Sequence, residues 1–381
     1  MKSLTWNQVN GWRLSQHFLA PRLGNSDLVK AAARTGGIQA QVLSAAELAL
    51  WARIEGLTDG QVNAALWKDR TLIKTWVMRG TLHLLPASDL PLYVAARSLD
   101  GTGGWERAFT RHGFSKAQFE AFVAAMPEIL GAKPITKTQI ASAIRKHTGS
   151  SALGDLVVAS SWGGPLKIAA FRGELSFGPN QGQHVTFVNP RRWLDHWEEM
   201  DPHEAFKSVA RRYLEAYGPA THQDFSRWWW GGPGVTAGKK LFQAMKSEFE
   251  EVDVEGWRAV ALRSTVEAMA SQPQQGPDTV RLLPLFDAYT LGLGRDIKPL
   301  LAEQHRKHIF RPQGWISAVV LVNGYMKGVW EHKTKSSETN LKVRLFAAPT
   351  KAVRKGIEGE AERLGRLFQT PIKLTIEQMD A

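Results

Sequence analysis

Cysteine is absent from all 381 residues. That excludes disulfides, thiolate metal sites and cysteine nucleophiles together, and it fits a reducing cytoplasm. No apolar run approaches the length of a membrane span, and the opening Met1-Lys2-Ser3-Leu4-Thr5-Trp6-Asn7-Gln8 lacks the apolar core of a signal peptide, so the chain reads as soluble and cytoplasmic. There is no Walker-type loop, no dinucleotide fingerprint, and no carboxylate cluster of the kind a metal-dependent nuclease or phosphodiesterase requires. No cofactor is expected. Tyrosine is sparse, with 5 residues against 15 tryptophans, so indoles supply most of the large polar-edged anchors. Acidic residues are outnumbered, 36 against 48 lysines and arginines, giving a formal charge of +12. Such a balance suggests a polyanionic partner, most simply nucleic acid. The length admits two or three domains, and 43% hydrophobic residues are enough to build cores.

Against that background one short stretch stands out: Gly36-Gly37-Ile38-Gln39-Ala40-Gln41, then Val42-Leu43 and an apolar helical run. Ser44 and Glu47 have capping-box spacing, which predicts a helix start at Ser44. In an extended segment Gln39 and Gln41 project to one side and Ile38, Ala40 and Val42 to the other. Two neighbouring amides offer donors and acceptors that can hold a water or a nucleic-acid edge; they can equally tie down loop backbone.

The order helix, helix, hairpin occurs three times. In the first copy helices around Leu4–Phe18, Asp27–Ala33, Ser44–Arg53 and Gln61–Lys68 precede β-prone runs at Leu72–Met78 and Thr81–Leu85. The second has helices at Pro134–Lys146 and Leu153–Ser160, then a hairpin of Leu166–Phe171 with Gly173–Val188, its tip at Gly178-Pro179-Asn180-Gln181-Gly182. A third runs through helices at Glu204–Tyr217, Thr221–Trp229 and Thr236–Phe249 to strands at Glu251-Val252 and Trp257–Ala261. This repeated order predicts three winged-helix units, at residues 1–100, 101–200 and 201–275, with Ser271–Pro277 as a loop. Residues 276–381 read as a small α+β module, with strands at Val280–Phe286, Trp315–Val322, Tyr325–His332, Leu341–Phe346 and Ile372–Ile376 and a helix at Thr350–Leu367. Asn323-Gly324 marks a tight hairpin, and Lys333–Asn340 reads as a polar, mobile connection.

Winged helices usually bind duplex DNA, and the candidate phosphate contacts are Arg13, Arg22, Lys74, Arg79, Lys137, Lys167 and Arg172. His83, in the first hairpin, is either a DNA contact or a packed side chain. His305 and His308 have helical spacing but too few companions for a metal site. Asp195-His196 and Asp201/His203 read as a solvated connection, Asp287 as a strand-end residue that serves folding, and Trp228-Trp229-Trp230 as a helix end buried between units.

Four stretches, Gly37–Gln41, Thr75–Leu84, Leu282–Tyr289 and Phe310–Ile316, resemble signature segments of the bacterial winged-helix DNA glycosylases of the AlkZ and YcaQ group. The resemblance implies an α+β fold with tandem winged helices in a C-shaped arrangement that binds duplex DNA. It also implies hydrolysis of the N-glycosidic bond of alkylated purines, including N7-linked interstrand crosslinks. The catalytic element of the group is Gln-apolar-Gln or Gln-apolar-Asp; Gln39-Ala40-Gln41 is similar to the first kind, which makes Gln39 and Gln41 the expected catalytic pair. The chemistry agrees with a restricted substrate. A glutamine cannot deprotonate water at neutral pH, but it can orient one and stabilise developing positive charge. That help suffices only for a leaving group that is already cationic, such as an N7- or N3-alkylated purine. The expected protein is therefore a monomeric, monofunctional DNA repair glycosylase; the competing reading is a non-catalytic winged-helix regulator or architectural protein.

Overall fold

The computed structural model describes the whole chain except residues 25–26, 162, 233, 274–277, 294–297, 336 and 380–381. The expected loop at Ser271–Pro277 falls largely outside the described residues. The fold is mixed α+β, and its contacts divide it into two compact units, Met1–Val62 with Ala210–Ala381, and Asn63–Val209.

The unit Asn63–Val209 is built around two hairpins. Leu72–Trp76 and Leu82–Pro86 pair antiparallel, with Thr75 opposite His83, and a helical turn at Met78–Gly80 joins them. Ser176–Gln181 and His184–Val188 form the second hairpin, and Ile135–Thr136 pairs with its second strand. Trp76 lies 4.8 Å from Phe177 and 6.2 Å from Phe187, ring centre to ring centre, so the two hairpins share one aromatic core. The helix Lys137–Thr148 begins at a full capping box, Thr136 with Gln139.

Here the sequence expectation needs correction. Leu166–Phe171 is a helix, not the first strand of a hairpin. Its residues do not alternate: Leu166, Ile168, Ala169 and Ala170 are all buried, and leucine, lysine and alanine favour helix where packing allows it. The hairpin tip is correspondingly tight. Gln181 pairs with His184, which leaves only Gly182 and Gln183 in the turn.

In the unit Met1–Val62 with Ala210–Ala381, a three-stranded sheet joins distant parts of the chain. Lys2–Leu4 pairs parallel with Phe249–Val254, which pairs antiparallel with Trp257–Leu262. The helix His222–Trp230 starts at a capping box of Thr221 with Asp224, and it buries Phe225, Trp228 and Trp229 on one side. A second sheet of five strands has the order Val280–Leu283, Val319–Val322, Tyr325–Thr334, Thr339–Leu345, Ile372–Gln378, and the helix Lys351–Phe368 packs on it. Asn323 and Gly324 both have positive φ, 52° and 84°, as a two-residue turn between twisted strands requires. The segment expected to be a mobile connection is strand at both ends, since Lys333 pairs with Asn340 and Thr334 with Thr339. Alternation explains the extension: in Thr339–Leu345 every second residue is buried.

Candidate active site

Backbone chemistry places the two glutamines. The helix Leu28–Arg34 ends in a Schellman motif, with the Gly36 N–H donating to the Ala33 carbonyl at 3.1 Å and the Gly37 N–H to the Ala32 carbonyl at 2.9 Å. Gly36 has φ 68° and Gly37 φ 103°, backbone that a side chain would strain. The Tyr217 hydroxyl donates to the Thr35 carbonyl at 2.7 Å and pins the same turn. From there the chain runs extended through Ile38–Gln39 and turns into the helix Leu43–Arg53. Gln39 is 7% exposed and Gln41 is half-buried.

That helix does not start where the capping-box spacing predicts. The Val42 carbonyl already accepts from the N–H groups of Ala45 and Ala46, so the first helical residue is Leu43 and the cap position, Val42, offers no side-chain oxygen. Ser44 therefore lies inside the first turn and is exposed. The helix is anchored at its other end. Arg53, fully buried, donates from Nη1 to Asp287 Oδ2 at 2.7 Å and from Nη2 to Oδ1 at 2.8 Å. Asp287 also accepts from the Tyr289 N–H at 2.8 Å, capping the helix Ala288–Gly292. Asp287 thus serves folding, as expected, but as a helix cap and ion-pair partner, since the strand it was expected to end stops at Leu283. Arg53 was not singled out, although a lone arginine closing an otherwise apolar helix is the signal that could have found it.

The expected phosphate contacts separate into two groups. Arg13 belongs to the buried face of the helix Trp6–Gln16 with Trp6, Val9 and Leu14; it is 1% exposed, and its guanidinium donates to the carbonyls of Tyr217, Gly218 and Pro219. Burial lowers its pKa. It is a structural cation, not a group offered to DNA. Arg22 is likewise committed: it donates to the Ala52 carbonyl at 3.0 Å and to Glu360 at 2.5 Å, with its side chain 11% exposed. His83 is packed, not presented. It is 1% exposed, with Nδ1 against the Thr81 carbonyl at 2.9 Å and Nε2 against Arg79 Nη2 at 3.2 Å. Burial and then the Arg79 charge push its pKa down to about 3, so the ring is neutral, donating from Nδ1 and accepting at Nε2.

The second group lies nearer the surface of the unit Asn63–Val209. Lys74 sits 5.0 Å over the Phe177 ring, and Arg79 is half-exposed on the turn between its strands, at φ 56°. Lys167 is half-buried, which lowers its pKa. Arg172 is exposed and paired with Glu174 at 2.8 Å. Lys137 donates to the carbonyls of Val158 and Ser160 at the end of the helix Ser151–Ala159, where a cation complements the helix dipole.

The remaining constellations are accounted for by their surroundings. Among the described residues no group of three or more His, Asp or Glu could hold a metal, and His305 instead lies flat on Phe346 at 4.1 Å. Asp195, His196, Asp201 and His203 are exposed, with Asp201 accepting from the Glu204 N–H at 2.9 Å. Trp228 and Trp229 are buried. No helix among the described residues is long and apolar enough to cross a membrane.

Comparison with known proteins covers the whole of this architecture. Over 370 residues, 95% of this chain and 96% of the relative, the sequence is 36% identical to an interstrand DNA cross-link repair glycosylase of Streptomyces sahachiroi. The solved structure of Streptomyces sahachiroi DNA glycosylase AlkZ superposes with a TM-score of 0.86 at 33% identity, covering 98% of this chain and 100% of that one. Residues 32–367, which include the Gln39-Ala40-Gln41 stretch, match the family model for AlkZ-like DNA glycosylases, and the chain belongs to that family.

Proposed function

We propose that this DNA glycosylase hydrolyses the N-glycosidic bond of cationic alkylated purines, N7-alkylguanine and N3-alkyladenine, and unhooks N7-linked interstrand crosslinks, with Gln39 and Gln41 positioning the water. The observation that carries this reading is the placement of the pair. Gln39 is 7% exposed and sits between a turn locked by three hydrogen bonds and the start of a helix, with Gln41 half-buried two residues on. Amides held by so constrained a backbone are preorganised, which is how a weak dipole contributes to a transition state.

The reaction balances without a strong base. The water oxygen bonds to the sugar C1′ as the bond from C1′ to the purine nitrogen breaks; the electron pair of that bond neutralises the purinium, and the attacking water releases its proton to solvent. Because the leaving group is already positive, no acid is required to protonate it. A glutamine carbonyl accepting from the water orients it, and its dipole favours the positive charge that builds on the sugar. With water as the nucleophile and no lysine assigned to the reacting carbon, the enzyme acts as a monofunctional glycosylase, and three DNA-holding units in one chain let it act as a monomer. We assign the three repeats of helices followed by a hairpin, residues 1–100, 101–200 and 201–275, to tandem winged helices that hold duplex DNA, followed by an α+β module at 276–381. Lys74, Arg79, Lys167 and Arg172 carry phosphate contacts.

The decisive experiment is single-turnover release of N7-methylguanine from a labelled duplex, run beside an N7-linked interstrand crosslink, for the native protein and a Gln39→Ala/Gln41→Ala double variant. Base release that disappears in the variant supports the assignment. Equal release by both proteins would remove the glutamines from the chemistry.

A further inference from the structure

Residues 310–316 form a small projecting tip in the C-terminal module. Phe310 and Ile316 bridge antiparallel, the Arg311 N–H donates to the Trp315 carbonyl at 2.8 Å, and Ser317 donates twice, from its N–H to the Ile309 carbonyl at 2.9 Å and from its hydroxyl to the His308 carbonyl at 2.7 Å. Gln313 and Gly314 close the turn with φ of 59° and 79°. The backbone is therefore well tied, yet every residue from Arg311 to Trp315 is exposed.

Trp315 is the unusual member. It is 40% exposed and leans on the buried Phe286, ring centres 5.1 Å apart, so a large indole is held at the surface by a ring from the core. An exposed, immobilised tryptophan costs hydration and gains little packing unless something else covers it. The charge that precedes it in sequence is of one sign. From His305 to Trp315 the sequence holds Arg306, Lys307 and Arg311 and no acidic residue. Arg306 comes within 4.0 Å of Glu303, whereas Lys307 and Arg311 are exposed and have no carboxylate partner among the described residues. Burial first, and then the nearby Lys307, His305 and Arg344, lower the pKa of His308.

We propose that this tip is a contact for duplex DNA, with Lys307 and Arg311 on phosphates and Trp315 packed against the sugar and base edges of a groove. Unpaired cations beside a rigid aromatic match the two components of a nucleic-acid surface, a polyanionic backbone and an apolar face. The inference deepens the proposed glycosylase reading by adding a point at which the duplex is held.

The test measures binding of the full-length protein to an undamaged labelled duplex by fluorescence anisotropy across a salt series. A Lys307→Gln/Arg311→Gln variant is expected to bind more weakly, with the slope of log affinity against log salt smaller by about 2, from roughly 0.9 per phosphate contact. Trp315→Ala is expected to weaken binding about tenfold with the slope unchanged, as for a lost stacking contact, and Arg311→Lys to retain the native slope. Should Trp315→Ala lower the melting temperature, the exposed polar variants carry the test alone. Native affinity and slope in the double variant would overturn the proposal. Because the duplex is undamaged, this result is independent of base release, so a protein that excised no alkylated purine would sink the catalytic reading and leave this one standing.

Discussion

Arg53 and Asp287 form a two-bond ion pair from which water is wholly excluded, with both side chains 0% exposed and N to O distances of 2.7 and 2.8 Å. The pair ties the last residue of the helix that follows the Gln39-Ala40-Gln41 stretch to the residue that caps Ala288–Gly292. The geometry is satisfied further by the Ala49 carbonyl, which accepts from Arg53 Nη1 at 2.8 Å, and by the Tyr289 N–H. Two segments separated by more than half the chain are thereby held in one arrangement.

Removing one partner strands the other as a buried charge. Asp287→Ala is expected to destabilise the fold by about 3–5 kcal/mol, as for other broken buried ion pairs. Urea unfolding followed by tryptophan fluorescence reads this directly. A loss below about 1 kcal/mol, the value of a surface pair, would mean that water or a neighbour replaces the carboxylate.

Gln39→Ala and Gln41→Ala should each slow base release by about a hundredfold, the scale seen when a preorganised polar group is lost from a transition state. DNA affinity, read on an uncleaved duplex, is expected to change little. A variant that binds DNA poorly would instead point to a role in shaping the loop.

His83 titrates far below its ordinary range, at about 3, because burial and Arg79 both oppose its charging. The unfolded chain, with an ordinary histidine, takes up the proton near pH 6.5. Between about pH 6.5 and 3 the unfolded state therefore binds more protons than the native one, and stability falls as pH falls. The contribution is fully present above about pH 6.5 and declines by up to about 1.4 kcal/mol per pH unit below it. Buried His17, whose pKa is also lowered well below the usual value, adds a drop of the same sign. Denaturant titrations between pH 8 and 4.5 should show a shallower decline in His83→Gln than in the native protein; parallel curves would contradict a neutral, buried imidazole.

Arg13 and Arg172 provide a paired test of which cations face DNA. Arg172→Gln is expected to leave stability within about 0.5 kcal/mol and to reduce the salt slope of DNA binding by about 0.9. Arg13→Met leaves the carbonyls of Tyr217, Gly218 and Pro219 without their donor. It should cost about 3 kcal/mol while the remaining folded protein keeps the native salt slope. The opposite pattern would reverse the two assignments.

Much of the architecture could be read locally. Capping boxes at Thr136 and Thr221, the Asn323-Gly324 turn and the Gly36-Gly37 break each act through bonds made within a few residues, so their outcome is present in the sequence itself. The glutamine pair was visible for the same reason, as polar residues in an apolar run between a glycine turn and a helix. Where several local signals compete, tertiary contacts choose. Val42 rather than Ser44 closes the helix start, and Leu166–Phe171 coils because all but its half-exposed residues find a buried environment. Charge was the least legible property. A lysine or arginine looks the same in sequence whether it meets solvent, as Arg311 does, or three backbone carbonyls, as Arg13 does. The sequence by itself determined most of the elements, the position of the Gln39-Ala40-Gln41 stretch and the basic balance of the chain, because these follow from short-range bonding and composition. Only the tertiary structure decided which cations remain available, since desolvation and partner geometry depend on segments hundreds of residues apart.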